Sequence, residues 1–166
     1  MGATAIQIDM ATLTRWQEAW GRAPEAMLLA LTAASWQAEL LIQREVVERT
    51  PTSGHGTLRQ SIAAQEPEVL ADAVIGVVGT ALAYAIPVEL GSKPHMPPLT
   101  PLVDWVEQKL GLKGDEATEV AEKIRWKIKA HGTPAVHMFR DGFAAVQSQV
   151  TAIYAQAAES VLAGLA

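Results

Sequence analysis

The most sustained pattern of apolar and polar positions runs from Pro24 to about Arg49. Nearly every residue between Met27 and Ile42 is apolar, whereas Glu25, Thr32, Glu39 and Gln43 recur at steps of seven and four. On a helix that spacing makes one narrow polar stripe. Pro24 suits the first turn of such a helix, Glu25 complements its positive end, and Thr50-Pro51 stops it. A shorter helix, Thr14 to Trp20, is expected before it, ended by Gly21, and residues 1–12 read as an arm or a short strand. A helix apolar over most of its circumference needs cover on two sides. One side would be the domain's own sheet; the other would be a second helix or a neighbouring subunit.

Beyond the helix, Pro51-Thr52-Ser53-Gly54-His55-Gly56 reads as a loop. Thr57 to Gln65 is a strand candidate, and Val69 to Thr80 a stronger one. In the latter Val69, Ala71, Ala73, Ile75 and Val77 alternate with Leu70, Val74 and Val78. Glu66-Pro67-Glu68 would join the two strands as a hairpin. Tyr84 to Glu89 is ambiguous between strand and helical turn, because Pro87 interrupts it. After the Gly/Pro-rich stretch Gly91 to Pro98, Thr100 is expected to cap a short helix with Pro101 at its first position. Leu102, Val103, Val106 and Leu110 form its apolar face, and Gly111 ends it. A second helix begins near Asp115, with Ala117, Val120, Ala121, Ile124 and Ile128 on one face. Its acids come early and its bases late, which matches the helix dipole, and Glu119 with Lys123 makes an i,i+4 pair. Gly132-Thr133-Pro134 breaks it. A final helix is expected from around Asp141, with Phe143, Val146, Val150, Ile153, Ala157 and Val161 repeating by three and four.

These elements predict an α+β fold. A small antiparallel sheet packs on a long N-terminal helix and a C-terminal helix, and a helical insertion, 97–131, lies within one domain of 166 residues. The apolar fraction of 49% is enough to fill a core. Met1 to Ile6 carry no basic segment followed by an apolar core, so no signal peptide is expected. No apolar run approaches the roughly 18 residues of a membrane span, so no membrane partner is expected.

Composition narrows the chemistry. Without cysteine there are no disulfides, thiolate metal sites or cysteine nucleophiles. The histidines, His55, His95, His131 and His137, include no helical i,i+4 pair, so no metal site is expected. Ser53 and His55 lie close in sequence but outside any nucleophile-elbow pattern, and Gly54-His55-Gly56 lacks the Lys-Ser/Thr of a phosphate loop. Paired carboxylates would have to come from Asp72, Glu89, Asp104 or Glu107, which read most simply as surface charges. Neither an enzymatic activity nor a cofactor is expected. A formal charge of −5 disfavours a nucleic-acid-binding face. The basic group Lys123, Arg125, Lys127 and Lys129 is the exception to follow. Of the five tryptophans, Trp36 and Trp126 are candidate aromatic anchors in a subunit interface, with Leu28 and Leu31 on the long helix.

Three segments, taken in order, resemble the minor tail-component family of tailed bacteriophages, also called tail-completion or head-tail joining proteins. The first is Arg49-Thr50-Pro51-Thr52-Ser53-Gly54-His55-Gly56-Thr57-Leu58-Arg59-Gln60-Ser61-Ile62, similar to the family's Pro-containing loop followed by Leu-Arg-x-Ser-Ile. The second runs from Val77 through Gly79, Tyr84, Ala85, Val88 and Glu89 to Gly91, similar to a strand, then Tyr-Ala, then Val-Glu-x-Gly. The third, Gly132 to Phe139, resembles the Pro-Phe segment before the C-terminal helix. The motif positions are Pro51, Gly54, Leu58, Ser61, Ile62, Gly79, Tyr84, Ala85, Val88, Glu89, Gly91 and Phe139. Two departures are visible. The loop is longer by a residue or two at Ser53 to Gly56, and Pro97 to Ala130 adds two helices where shorter members have a loop.

The resemblance implies a structural virion protein of the tail or neck, assembled in the host cytoplasm. It implies a cyclic homo-oligomer, a six-fold ring, that completes the tail or neck and connects it to the head. Its partners would be neighbouring neck or connector proteins and tail-tube or tail-terminator proteins, with DNA passing through the channel without sequence-specific contact. The alternative is a DNA- or protein-binding accessory module that uses the basic insert helix. Glycines 54, 56, 79 and 91 are expected at tight turns, with Tyr84 under the sheet and Glu89 facing outward.

Overall fold

The computed structural model describes residues 10–52, 56–70 and 73–165. Its elements are α1 (Met10–Arg49), α2 (Thr57–Ser61), β1 (Ala63–Ala64), β2 (Glu68–Val69), β3 (Val74–Ile75), β4 (Val78–Gly79), α3 (Ala85–Leu90), α4 (Leu99–Leu110), α5 (Gly114–His131) and α6 (Met138–Ala163). The fold is α+β and mostly helical. It has the expected long N-terminal and C-terminal helices, a small antiparallel ribbon and a helical pair between them.

The first correction is the length of α1, a single helix through Gly21 and with Pro24 inside it. An interior proline removes one backbone hydrogen bond and costs about 3 kcal/mol in isolation. Here α6 lies antiparallel along α1. Ser160 and Val161 near its end flank the same groove as Ala19, Arg22 and Ala26, so α6 accompanies α1 past the proline. Met10 to Thr12, read as part of an arm, belong to α1, and residues 1–9 lie outside the described residues. At the other end of the seam the two backbones touch. A Cβ on Gly142 would lie 2.8 Å from Val46 Cγ2 and 3.0 Å from its Cα.

The end of α1 is built by the first motif. Thr50 is buried, and its hydroxyl donates to Val46 O at 2.7 Å. Arg59 donates from Nε to Val47 O and from a terminal nitrogen to Glu48 O, both at 2.9 Å. These are carbonyls that a helix C-terminus leaves without intrahelical donors. The expected strand Thr57 to Gln65 is therefore corrected. Helix α2 (Thr57–Ser61) is one short turn that aims Arg59 back at α1, and the chain becomes extended only at Ile62.

The strand expected from Val69 to Thr80 is also corrected, into three short pieces. β1 pairs antiparallel with β4 (Ala63 with Gly79, Ala64 with Val78), and β2 pairs with β3 (Glu68 with Ile75, Val69 with Val74). Between these ladders one arm contributes residues 65–67 and the other only 76 and 77. The extra residue is a bulge at Pro67, which has no N–H to offer a ladder. The chain therefore does not reverse at Glu66-Pro67-Glu68. The reversal comes later, where Leu70 N donates to Ala73 O at 2.8 Å. Gln43 ties the ribbon to α1, donating from Nε2 to Ile62 O at 2.9 Å while its Oε1 accepts from Ala64 N at 3.4 Å.

The main core gathers Val46, Leu58, Ile62, Ala85 and Met138, with Ile42, Val78, Leu82, Val88 and Phe139 packed against it. A second cluster of Val106, Ala117 and Ala121 joins α4 to α5, with Trp105 and Ile124 at its margin. The base of that helical pair is clamped by Ser92 and Thr133, which exchange backbone hydrogen bonds at 3.0 and 3.1 Å. Gly91 (φ +74°) sits at this crossing, where a Cβ would lie 2.6 Å from Thr133 O. Thr100 does not cap α4. The helix starts at Leu99, the residue before it is Pro98, and no side-chain cap bond is made there.

Candidate interaction surfaces

The motif residues converge, and most of them turn inward. Leu58, Ile62 and Ala85 are buried in the main core, and Val88 and Phe139 pack on it. Ser61 Oγ meets Thr80 Oγ1 at 2.6 Å, tying the turn after α1 to the end of β4. Pro51 is exposed beside this region, and Gly54, with Ser53 and His55, lies outside the described residues. Gly79 sits in β4 with no atom within 4 Å of where its Cβ would be, so no steric demand explains that glycine. Gly56 and Gly91 do take the left-handed φ values expected of turn glycines.

Tyr84 and Glu89 exchange the roles expected of them. Tyr84 is exposed, and it is Ala85 that enters the core. Pro87 falls in the first turn of α3, where a missing N–H costs nothing, so the segment is helical. Glu89, on the next turn, faces inward rather than out. Its Oε2 accepts from Phe139 N at 2.9 Å and its Oε1 from Arg140 N at 3.1 Å. A carboxylate on two first-turn N–H groups is the favourable charge at a helix N-terminus. Helix α6 accordingly starts at Met138, three residues before the expected Asp141. His137 precedes it with φ +56°, an unusual conformation for a residue that is not glycine.

Apolar side chains remain exposed on several elements. On α1, Leu29, Trp36 and Leu40 share one face at steps of seven and four, and Leu29 is 67% exposed. Leu28 and Leu31, the candidate interface residues of this helix, are instead half-buried. On the ribbon, Val69, Leu70, Ile75 and Val77 are all exposed. On α3, Ile86 and Leu90 stand one turn apart beside an open groove of about 500 Å³, lined also by Val78, Leu82 and Phe139. Trp126 is exposed on α5, with Lys129 Nζ 4.2 Å from its ring centroid.

The basic group on α5 is largely engaged within the chain. Lys123 pairs with Glu119 at 2.7 Å, as expected. Arg125 donates to Pro97 O at 3.0 Å and pairs with Glu122 at 3.2 Å, and Lys129 covers Trp126. Among the described residues no group of three His, Asp or Glu side chains is placed to hold a metal ion. Asp104 and Glu107 are exposed on α4, Glu89 is committed to α6, and Asp72 lies outside the described residues. No helix among the described residues is long and apolar enough to cross a membrane.

What the fold and its surfaces define is an α+β scaffold with apolar side chains left uncovered on a helix, a ribbon and a groove. Compared with protein-family models, with curated proteins and with solved structures, the chain gives no match.

Proposed function

We propose that this chain is a structural subunit of the head-tail joining region of a tailed bacteriophage. It acts by assembling into a closed ring, six-fold by the family resemblance, that completes the tail or neck and connects it to the head. Neighbouring neck and tail proteins flank the ring, and DNA passes through its channel without being read. The observation that carries the reading is the convergence of the three motif segments. Arg59 closes the end of α1, Ser61 ties that end to β4, and Glu89 starts α6, so residues far apart in sequence form one framework. Around that framework Leu29, Trp36 and Leu40 on α1 and Val69, Leu70, Ile75 and Val77 on the ribbon stand exposed among the described residues. Extended uncovered apolar surface marks interaction sites, and a head-to-tail contact repeated by rotation closes a ring.

The alternative is a DNA- or protein-binding accessory module using the basic insert helix, and its DNA-binding form is disfavoured by the engagement of Lys123, Arg125 and Lys129 within the chain. Native mass spectrometry at high protein concentration, with neck and tail proteins present, tests the ring. A closed oligomer that Leu29→Glu abolishes without lowering the thermal melt supports it. A monomer under all these conditions refutes it.

A further inference from the structure

Helix α1 carries a single ionisable side chain between Glu25 and Arg44, and that side chain, Glu39, is buried. Ser35, Glu39, Ile42 and Val46 follow steps of four, three and four, so Glu39 occupies a position on the inward stripe. Its Oε1 accepts from Ser35 Oγ at 2.9 Å, while its Oε2 is buried with no hydrogen-bond partner among the described residues. The ribbon forms the lid at Gly76, where a Cβ would overlap Oε1 and lie 2.6 Å from Ser35 Oγ. Gly76 also faces the bulge at Pro67, where the ladder between the two arms is interrupted.

A buried carboxylate is stable when a cation or several donors compensate it. Neither is at hand. No Lys or Arg occurs at 26–43 on α1, at 60–92 through the ribbon and α3, or after Arg140 on α6. The titratable groups on the elements packed here are Arg140, Asp141, Tyr154 and Glu159 on α6 and Glu66 and Glu68 on the ribbon, both ribbon glutamates being exposed. Asp72 lies outside the described residues.

We propose that Glu39 is a proton-controlled latch: as the neutral acid it lets the ribbon lie down on α1, and when it ionises the ribbon lifts to admit water. Burial pushes its carboxyl above the ordinary range, and the Ser35 hydrogen bond only partly opposes this. A carboxyl held high in the docked state binds its proton more tightly there than in the open state. Docking is therefore fully favoured below the ordinary carboxylate range and is lost as pH rises through the docked value. The element released is the one that carries the exposed side chains of Val69, Leu70, Ile75 and Val77. Protonation thus sets whether that apolar surface is held rigidly for a partner.

The chain as a whole cannot report this. Hydrogen bonds from Arg49, Lys123 and Arg140 hold Glu45, Glu119 and Asp141 below the ordinary range, so these contribute stability that is lost in acid, with the opposite sign. The test is site-resolved amide exchange on the full chain across pH, corrected for intrinsic rates. The amides of Gln65 and Leu70 read the ribbon, and those of α5 serve as the internal reference. Protection of the ribbon is expected to fall by about tenfold for each pKa unit separating the two states. It should stay flat in Glu39→Gln and in Glu39→Leu, which has no polar atom left to bury. Carbon-detected titration of Glu39 in the unmodified chain should show a midpoint above the ordinary carboxylate range. A ribbon that loosens equally in both variants, pH-independent protection in the unmodified chain, or an ordinary midpoint overturns the latch.

Discussion

Two apolar clusters hold this chain together, and they are built differently. The main core joins Val46, Leu58, Ile62, Ala85 and Met138, residues spread over more than half of the chain. The cluster between α4 and α5 joins Val106, Ala117 and Ala121 within one helical hairpin. The second forms from neighbours in sequence, so ordering the chain costs little loop-closure entropy before contacts form. The first requires α1, α2, α3 and α6 to meet, and polar residues secure each junction. Arg59 secures the end of α1, Ser61 with Thr80 the end of β4, and Glu89 the start of α6. A cluster assembled from distant segments makes the fold cooperative, whereas a local one can be an appendage.

The sharpest way to break the contrast is Met138→Ala. Met138 is fully buried, and its sulfur lies 3.3 Å from the Thr50 hydroxyl. Removing it should cost about 2–5 kcal/mol, read by denaturant unfolding with the whole chain losing stability together. Glu89→Ala comes next, at about 0.5–2 kcal/mol, the range for losing a side chain that caps a helix. Exchange should speed up first at the amides of Phe139 and Arg140, and unchanged exchange there would show that the carboxylate does not hold α6.

Replacing 97–131 with a short Gly-Ser linker should leave a cooperative transition in circular dichroism. The Ser92–Thr133 clamp already brings the two flanks together, so the linker has little distance to span. Loss of all folded signal would mean that α4 and α5 are integral to the core. The smallest effect is expected from Thr100→Ala. Read as a helix cap, Thr100 should cost about 1 kcal/mol on removal. Lying inside α4, it should change stability by less than about 0.5 kcal/mol.

The local pair is readable from the sequence for the reason that makes it local. Each of its signals, the apolar spacing within either helix, the stop at Gly111 and the Glu119–Lys123 pair, is set by residues close in sequence. What periodicity misses is decided by distant partners. Glu39 belongs to the polar stripe with Thr32 and Gln43, and no local signal announces that the ribbon will lie over that stripe, with Gly76 above Glu39 and Ile62 bonded to Gln43. Pro24 reads as a helix start because no local signal announces that α6 will run alongside. Pro67 reads as a turn but marks a bulge, because register depends on the opposite arm. Glu89 reads as a surface charge because the amides it serves lie some 50 residues later. Of the candidate interface residues, Trp36 and Trp126 are exposed while Leu28 and Leu31 are half-buried, so the uncovered stripe of α1 is carried by Leu29 and Leu40 beside Trp36.

The most direct test of the proposed role is a reconstruction of the neck and tail of a particle that contains this chain. The account predicts a closed ring of this protein between the head and the tail tube, with the α1 stripe or the apolar ribbon buried between adjacent subunits. Finding the chain elsewhere in the particle, or finding it absent from the finished virion, would contradict it.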